Sequence, residues 1–125
     1  MMELRKFSFE TLEAYQKCRT LVSDVYRVQK RFPQEERYAL GDQVRRASTS
    51  ITANLAEGSG RQSIKEKIHF VEISYGSLME VFCELQTDVD LDYIADDVLE
   101  ELRPQFTDIA KMLSGLRASL AKKLQ

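Results

Sequence analysis

Ile64, Ile68, Val71, Tyr75, Leu78, Phe82, Leu85 and Val89 recur in strictly alternating steps of four and three. A helix of 3.6 residues per turn puts all of them on one stripe, and an unbroken four-three alternation is the period of a left-handed helix-bundle seam. A strand has period two and could not gather this set on one face. The stretch must therefore be a long helix with helical company along its length.

The other segments supply that company. Ser63-Ile-Lys-Glu66 is a capping box, so this helix spans about 63–89. Its second line, Phe70, Ser74, Ser77 and Val81, is small in the middle and lets a neighbour come close. An earlier helix, about 9–31, carries Leu12, Tyr15, Val22, Val25, Tyr26 and Gln29, widened by Leu21, Val28 and Phe32. It stops ahead of Pro33, which disfavours a helical residue before it, and Pro33 to Glu36 reads as one helical turn. Leu40, Val44, Ala47, Ile51 and Leu55 mark a helix of about 41–58, capped near Gly41-Asp42 and closed by Gly58 in the left-handed conformation that glycine tolerates. Leu99, Leu102, Phe106, Ile109, Leu113, Leu116, Leu120 and Leu124 mark a last helix, about 96–124, with a kink expected at Pro104 or a 3₁₀ first turn before it. Short joints make consecutive helices antiparallel neighbours. The predicted fold is all-α, an antiparallel up-down-up-down four-helix bundle, with residues 1–125 as one domain.

Several chemistries are excluded or disfavoured. No apolar run approaches the ~20 residues that span a bilayer, and Met-Met-Glu-Leu-Arg-Lys leads into no signal-peptide core, which points to the cytoplasm. Cys18 and Cys83 have no metal or redox spacing and read as small buried hydrophobes. His69 is the only histidine, so histidine-based triads and metal sites are out. Asp88, Asp90 and Asp92 imitate the start of a calcium loop, but Tyr93 stands where glycine is required and Leu99 where the closing glutamate belongs. Glu57-Gly-Ser-Gly-Arg61 follows a helix and lacks the lysine of a phosphate loop. Glu72, Glu80 and Glu84 lack the Glu-x-x-His companions of a di-iron bundle. A non-enzyme without metal or cofactor is the expectation.

Two sets of residues are left as candidates. Gln43, Arg46, Ser50, Asn54 and Glu57 form a hydrogen-bonding stripe on the second helix, at steps of three, four, four and three. A merely solvated face would more often carry Lys and Glu. Amides and hydroxyls at this spacing suit close packing on a polar neighbour: a helix bearing Ser74 and Ser77, another copy of the chain, or a nucleic-acid backbone. Arg45, Arg46, Arg61, Lys65 and Lys67 are grouped at the second joint, with Lys30, Arg31 and Arg37 at the preceding one, as a candidate phosphate-contacting patch. Against it stand a pI of about 5.5 and the absence of interleaved aromatics. Charge is very uneven: residues 80–101 hold nine acids and no base. Such polarity favours association of unlike patches, or a polyanion held at one end.

The runs Phe9-Glu-Thr-Leu-Glu13, Tyr15-Gln-Lys17, Tyr26, Phe32-Pro-Gln-Glu-Glu-Arg-Tyr-Ala-Leu40 and Gln43 through Gly58, followed by Gly60-Arg61-Gln-Ser63, Glu66 and Gly76-Ser-Leu-Met-Glu80, resemble the bacterial four-helix-bundle proteins encoded in intervening sequences of 23S ribosomal RNA genes. The resemblance covers nearly the whole chain. It implies a compact antiparallel bundle assembling as a cyclic homopentamer. The accessory proteins of diversity-generating retroelements look similar, and they imply partnership with a reverse transcriptase and nucleic acid. Gly41 stands where relatives often place Thr or Ser, Ala53 where Pro is frequent, and the basic exterior of the retroelement group is missing. The expectation is an assembly or adaptor module that forms a ring; the alternative is an RNA- or DNA-binding protein acting through the basic patch.

Overall fold

In the computed structural model, which describes residues 6–36 and 39–124, four α-helices pack side by side. They are α1 (Glu13–Gln29), α2 (Leu40–Ser59), α3 (Ile64–Asp90) and α4 (Asp96–Lys122). Among the described residues there is no strand. α2 packs most extensively on α3, α3 on α4, and α1 closes the bundle against α2 and α4. Arg37 and Tyr38 lie outside the described residues.

The seams predicted from periodicity become the core. Leu21, Val25, Val44, Ile51, Leu55, Val71, Leu78, Leu85, Leu99, Leu102, Phe106, Ile109 and Leu113 are all buried together. Phe82 meets Phe106 edge to face at 5.1 Å, a geometry that aligns ring edge with ring face. Three members of the predicted stripes differ. Tyr26 and Tyr75 are exposed, whereas Cys18 and the line Ser74, Ser77 and Val81 are buried. Leu124, past the end of α4, is exposed. Cys18 is buried as expected, and burial pushes its thiol up to about 12; Cys83, expected inside, is exposed.

Helix ends follow local chemistry. Ser63 accepts from the Glu66 amide at 3.3 Å, as the capping box requires. The first helix begins later than expected. Residues Ser8–Thr11 form a separate 3₁₀ turn, Leu12 is extended, and Phe9 sits edge-on to Tyr15 at 4.9 Å. Gln34–Glu36 form the short turn foreseen after Pro33. α4 continues through Pro104 as one helix, the proline being on an exposed face. At the end of α3, Asp92 has φ 63°, its amide bonds the Val89 carbonyl at 3.0 Å, and the Tyr93 amide bonds the Asp88 carbonyl at 2.9 Å. That pair of bonds is a Schellman stop. The three aspartates that imitate a calcium loop are thus a helix C-terminus.

Gly58 is not the left-handed cap expected of it. No described glycine has positive φ, and Gly58 lies inside α2, one residue before its end. Its missing side chain serves a different purpose. A Cβ there would meet the Cβ of Phe70 at 2.8 Å, so glycine is what lets α2 and α3 approach at this level.

Candidate functional site

Close approach of α2 and α3 brings part of the polar stripe together inside the protomer. Ser50 Oγ and Ser77 Oγ share a hydrogen bond of 2.9 Å. Asn54 Nδ2 donates to Ser50 Oγ at 2.8 Å and to the Ser50 carbonyl at 2.7 Å. Ser74, fully buried, donates to the Ile51 carbonyl at 2.8 Å. Each such bond contributes on the order of 1 kcal/mol net, and leaving one buried partner bare costs more. Ser50, Asn54, Ser74 and Ser77 therefore form a satisfied seam between two helices. Among the described residues the hydrogen bonds of the Ser50–Ser77 pair run to each other and to Asn54, not to a general base.

The outer members of the stripe do not join that seam. Gln43, Arg46 and Glu57 are exposed. Glu57 pairs with Arg61 at 2.7 Å, one turn along. Gln43 and Arg46 border a shallow cavity shared with Ala39, Asp42 and Glu80 at the opposite end of α2.

Beside that cavity lies a feature the composition gave no hint of. Antiparallel pairing sets the C-terminal end of α3 against the first turns of α2. A cavity of about 170 Å³ there is lined by Leu40, Gln43, Val44, Glu84, Thr87 and Asp88. Asp88 is 1% exposed, and among the described residues its Oδ2 has no hydrogen-bond partner; neither have the two carboxylate oxygens of Glu84. Burial pushes the Asp88 carboxyl up to about 6. Burial, and then the neighbouring charges of Glu80 and Asp88, push Glu84 up to about 7. A sequence signal for Asp88 did exist: it continues the buried line Ser74, Ser77, Val81 by a step of seven. Among the described residues no group of three or more His, Cys, Asp or Glu is placed to hold a metal ion.

The five candidate phosphate contacts do not make one patch. Arg45 and Arg46 are at the start of α2, Arg61, Lys65 and Lys67 beyond its end, roughly 20 Å away at the helical rise of ~1.5 Å per residue. Arg45 ion-pairs with Asp42 and donates to Gln29 Oε1 at 2.9 Å, with Gln29 buried in α1. Arg61, besides its bond to Glu57, lies over the Phe70 ring at 4.9 Å. Lys67 Nζ donates to the Ser59 carbonyl at 3.0 Å, and Lys65 is exposed. The sequence grouped the two arginines with the joint because they are close in number; a straight 20-residue helix separates them.

A groove between α3 and α4, absent from the sequence reading, faces outward. It measures about 330 Å³ and is lined by Val71, Tyr75, Gly76, Leu113 and Ser114, with Glu72 and Arg117 bridging its rim at 3.3 Å. Tyr75 is 36% and Met79 41% exposed along the same helix.

Comparison with known proteins agrees with this architecture. A family model described as 23S rRNA-intervening sequence protein matches residues 10–115. A crystal structure of a protein with unknown function from the S23 ribosomal protein family of Bacteroides thetaiotaomicron superposes with a TM-score of 0.76 at 22% identity, over 83% of this chain and 97% of that one. At that identity the likeness concerns the fold. No curated protein matches.

Proposed function

This chain belongs to the 23S rRNA-intervening sequence protein family, and from that premise we propose that it is a non-enzymatic assembly module whose unit of action is a cyclic homo-oligomer, a ring of five. The observation that carries the reading is the outward groove between α3 and α4. Apolar surface is normally buried where a helix pair can bury it, and here Tyr75 and Met79 stand in water beside an apolar trough. A cyclic interface needs two unlike patches on each protomer, and a self-complementary trough alone would give a dimer. The second patch in this reading is the exposed edge of α2 bearing Gln43, Arg46 and Thr49. The Ser50–Asn54–Ser74–Ser77 seam takes no part, because its groups are already bonded to one another.

Native mass spectrometry and light scattering test the reading. The expected mass is five times 14.4 kDa. Replacing both Tyr75 and Met79 with Glu is expected to give monomer with unchanged helix content, since neither side chain is in the core. Monomeric wild-type protein at tens of micromolar would end the proposal.

A second reading, nucleic-acid binding, is favoured by one observation: Lys122 and Lys123 at the end of α4 lie at the same end of the bundle as Arg61, Lys65 and Lys67. Binding of this kind weakens steeply with salt because displaced counterions drive it. A gel shift at low salt, lost in an Arg61→Glu/Lys65→Glu variant, would support it, and no shift at low salt would remove it.

A further inference from the structure

The two ends of this bundle are unlike in a way that the ring reading does not use. At one end, the α3–α4 connection carries Leu91, 47% exposed, ringed by the exposed acids Asp90, Asp92, Asp96 and Asp97. The Schellman stop with its left-handed Asp92 fixes this tip in one conformation. From Glu80 to Glu101 no base offsets it.

At the other end, the last turns of the α4 stripe are incompletely covered. Leu116 and Leu120 are only partly covered, and with Leu12, Leu55 and Val71 they line a cavity of about 290 Å³. Lys67 and Lys123 are at its rim, and among the described residues no acid lines it. Gly58 also lines it, so the space follows from the same close approach of α2 and α3 that the missing Cβ allows. The last α-helical turns of the α4 stripe thus end in an open apolar cup with cations around it.

We propose that these ends fit each other, and that a second copy of this chain docks its Leu91 tip into the Leu116/Leu120 cup of the first. An exposed leucine fixed on a rigid acidic tip is complementary to an apolar cup rimmed by lysines in shape, hydrophobicity and charge. Each copy has one tip and one cup at opposite ends of antiparallel helices. The contact is therefore heterologous and does not close on itself: copies, or rings of copies, stack end to end along the helix axis. The contact is small and its charges are exposed, so it is weak and salt-sensitive, an association that steers and aligns more than it holds.

The test uses two full-length variants. Leu91→Lys spoils the tip and keeps the cup. Lys123→Glu at the rim, reinforced by Lys122→Glu beside it in sequence, spoils the rim and keeps the tip. Every altered side chain is exposed, so both are expected to keep wild-type circular dichroism and the wild-type ring mass. In sedimentation velocity at low salt, wild-type protein is expected to show a concentration-dependent series of end-to-end multiples. Each variant alone loses that series. An equimolar mixture of the two recovers a single additional contact, because one partner supplies a sound cup and the other a sound tip. Raising salt from about 0.05 to 0.5 M is expected to weaken the wild-type association about tenfold, as the Debye length contracts several-fold. No multiples at low salt in the wild type, or multiples that persist in both single variants, overturns the proposal. So does a tightly held amphiphile occupying the cup, seen by native mass spectrometry. Loss of the ring in Tyr75/Met79 variants leaves the end-to-end series intact, which separates failure of the ring from failure of this docking.

Discussion

Gly58→Ala sets two physical effects against each other. In a helix interior, Gly to Ala gains up to about 1 kcal/mol from backbone entropy and propensity. Gly58 is in α2, so propensity alone predicts a stabler protein. The added Cβ, however, would lie 2.8 Å from Phe70 Cβ, when ordinary contact begins near 3.4 Å. A Cβ cannot swing away as a side-chain tip can, so α2 and α3 must separate by about 0.6 Å there. That movement strains the Ser50–Ser77 and Ser74–Ile51 bonds one to two turns along the same interface. Overpacking of this kind costs typically 1–3 kcal/mol, so the expected net is a loss of about 1 kcal/mol. Urea denaturation at fixed pH measures it through the midpoint at constant slope. Gly115→Ala is the control: its Cβ would meet nothing within 4 Å, so α4 is expected to gain about 0.5–1 kcal/mol. Phe70→Ala retains the offending Cβ and is not expected to rescue Gly58→Ala. A Gly58→Ala protein stabilised as much as Gly115→Ala would refute the close-approach argument.

Asn54→Leu removes the donor that Ser50 accepts and is expected to cost about 1 kcal/mol, lowering the melting temperature by roughly 3–5 °C without changing the oligomer mass, read by calorimetry and light scattering. Asp92→Gly relieves a left-handed non-glycine residue and is expected to stabilise by roughly 0.5–1 kcal/mol, again from denaturant midpoints; a loss would argue against the Schellman stop. Asp88 and Glu84 hold protons in the folded chain up to about pH 6 and 7, well above their ordinary values near 4. Folding therefore takes up protons, and their contribution is fully present below about pH 4 and is lost as pH rises through 6 and 7. Glu84 is half-buried as a residue while its carboxylate oxygens are covered, so the expected effect of Glu84→Gln at pH 8, discounted for screening, is a gain of about 1 kcal/mol, with Asp88→Asn similar. Glu80, whose charge acts on Glu84, and Gln43, which lines the same cavity, stay unchanged in both variants; a pH profile between 4 and 8 no flatter than wild type would sink the assignment.

What one-dimensional pattern determines about this protein is its helices and how they pair. Apolar spacing places α2, α3 and α4 to within a few residues because burying a stripe dominates the energy of each helix and short joints leave only antiparallel neighbours. The capping box at Ser63 and the close α2–α3 contact at Ser74 and Ser77 are local or periodic features and are legible in the same way. Tertiary structure alone decides which polar groups face each other. It spends Ser50 and Asn54 inside the protomer, parts Arg46 from Arg61 by the length of a helix, and buries Asp88 where an acidic run suggested a wet surface. It also turns Gly58 from a presumed cap into a contact point, because the reason for that glycine is an atom of Phe70 on another helix. Periodicity reports how a helix meets an average neighbour; the fit of one side chain against one partner depends on distances that no single segment contains.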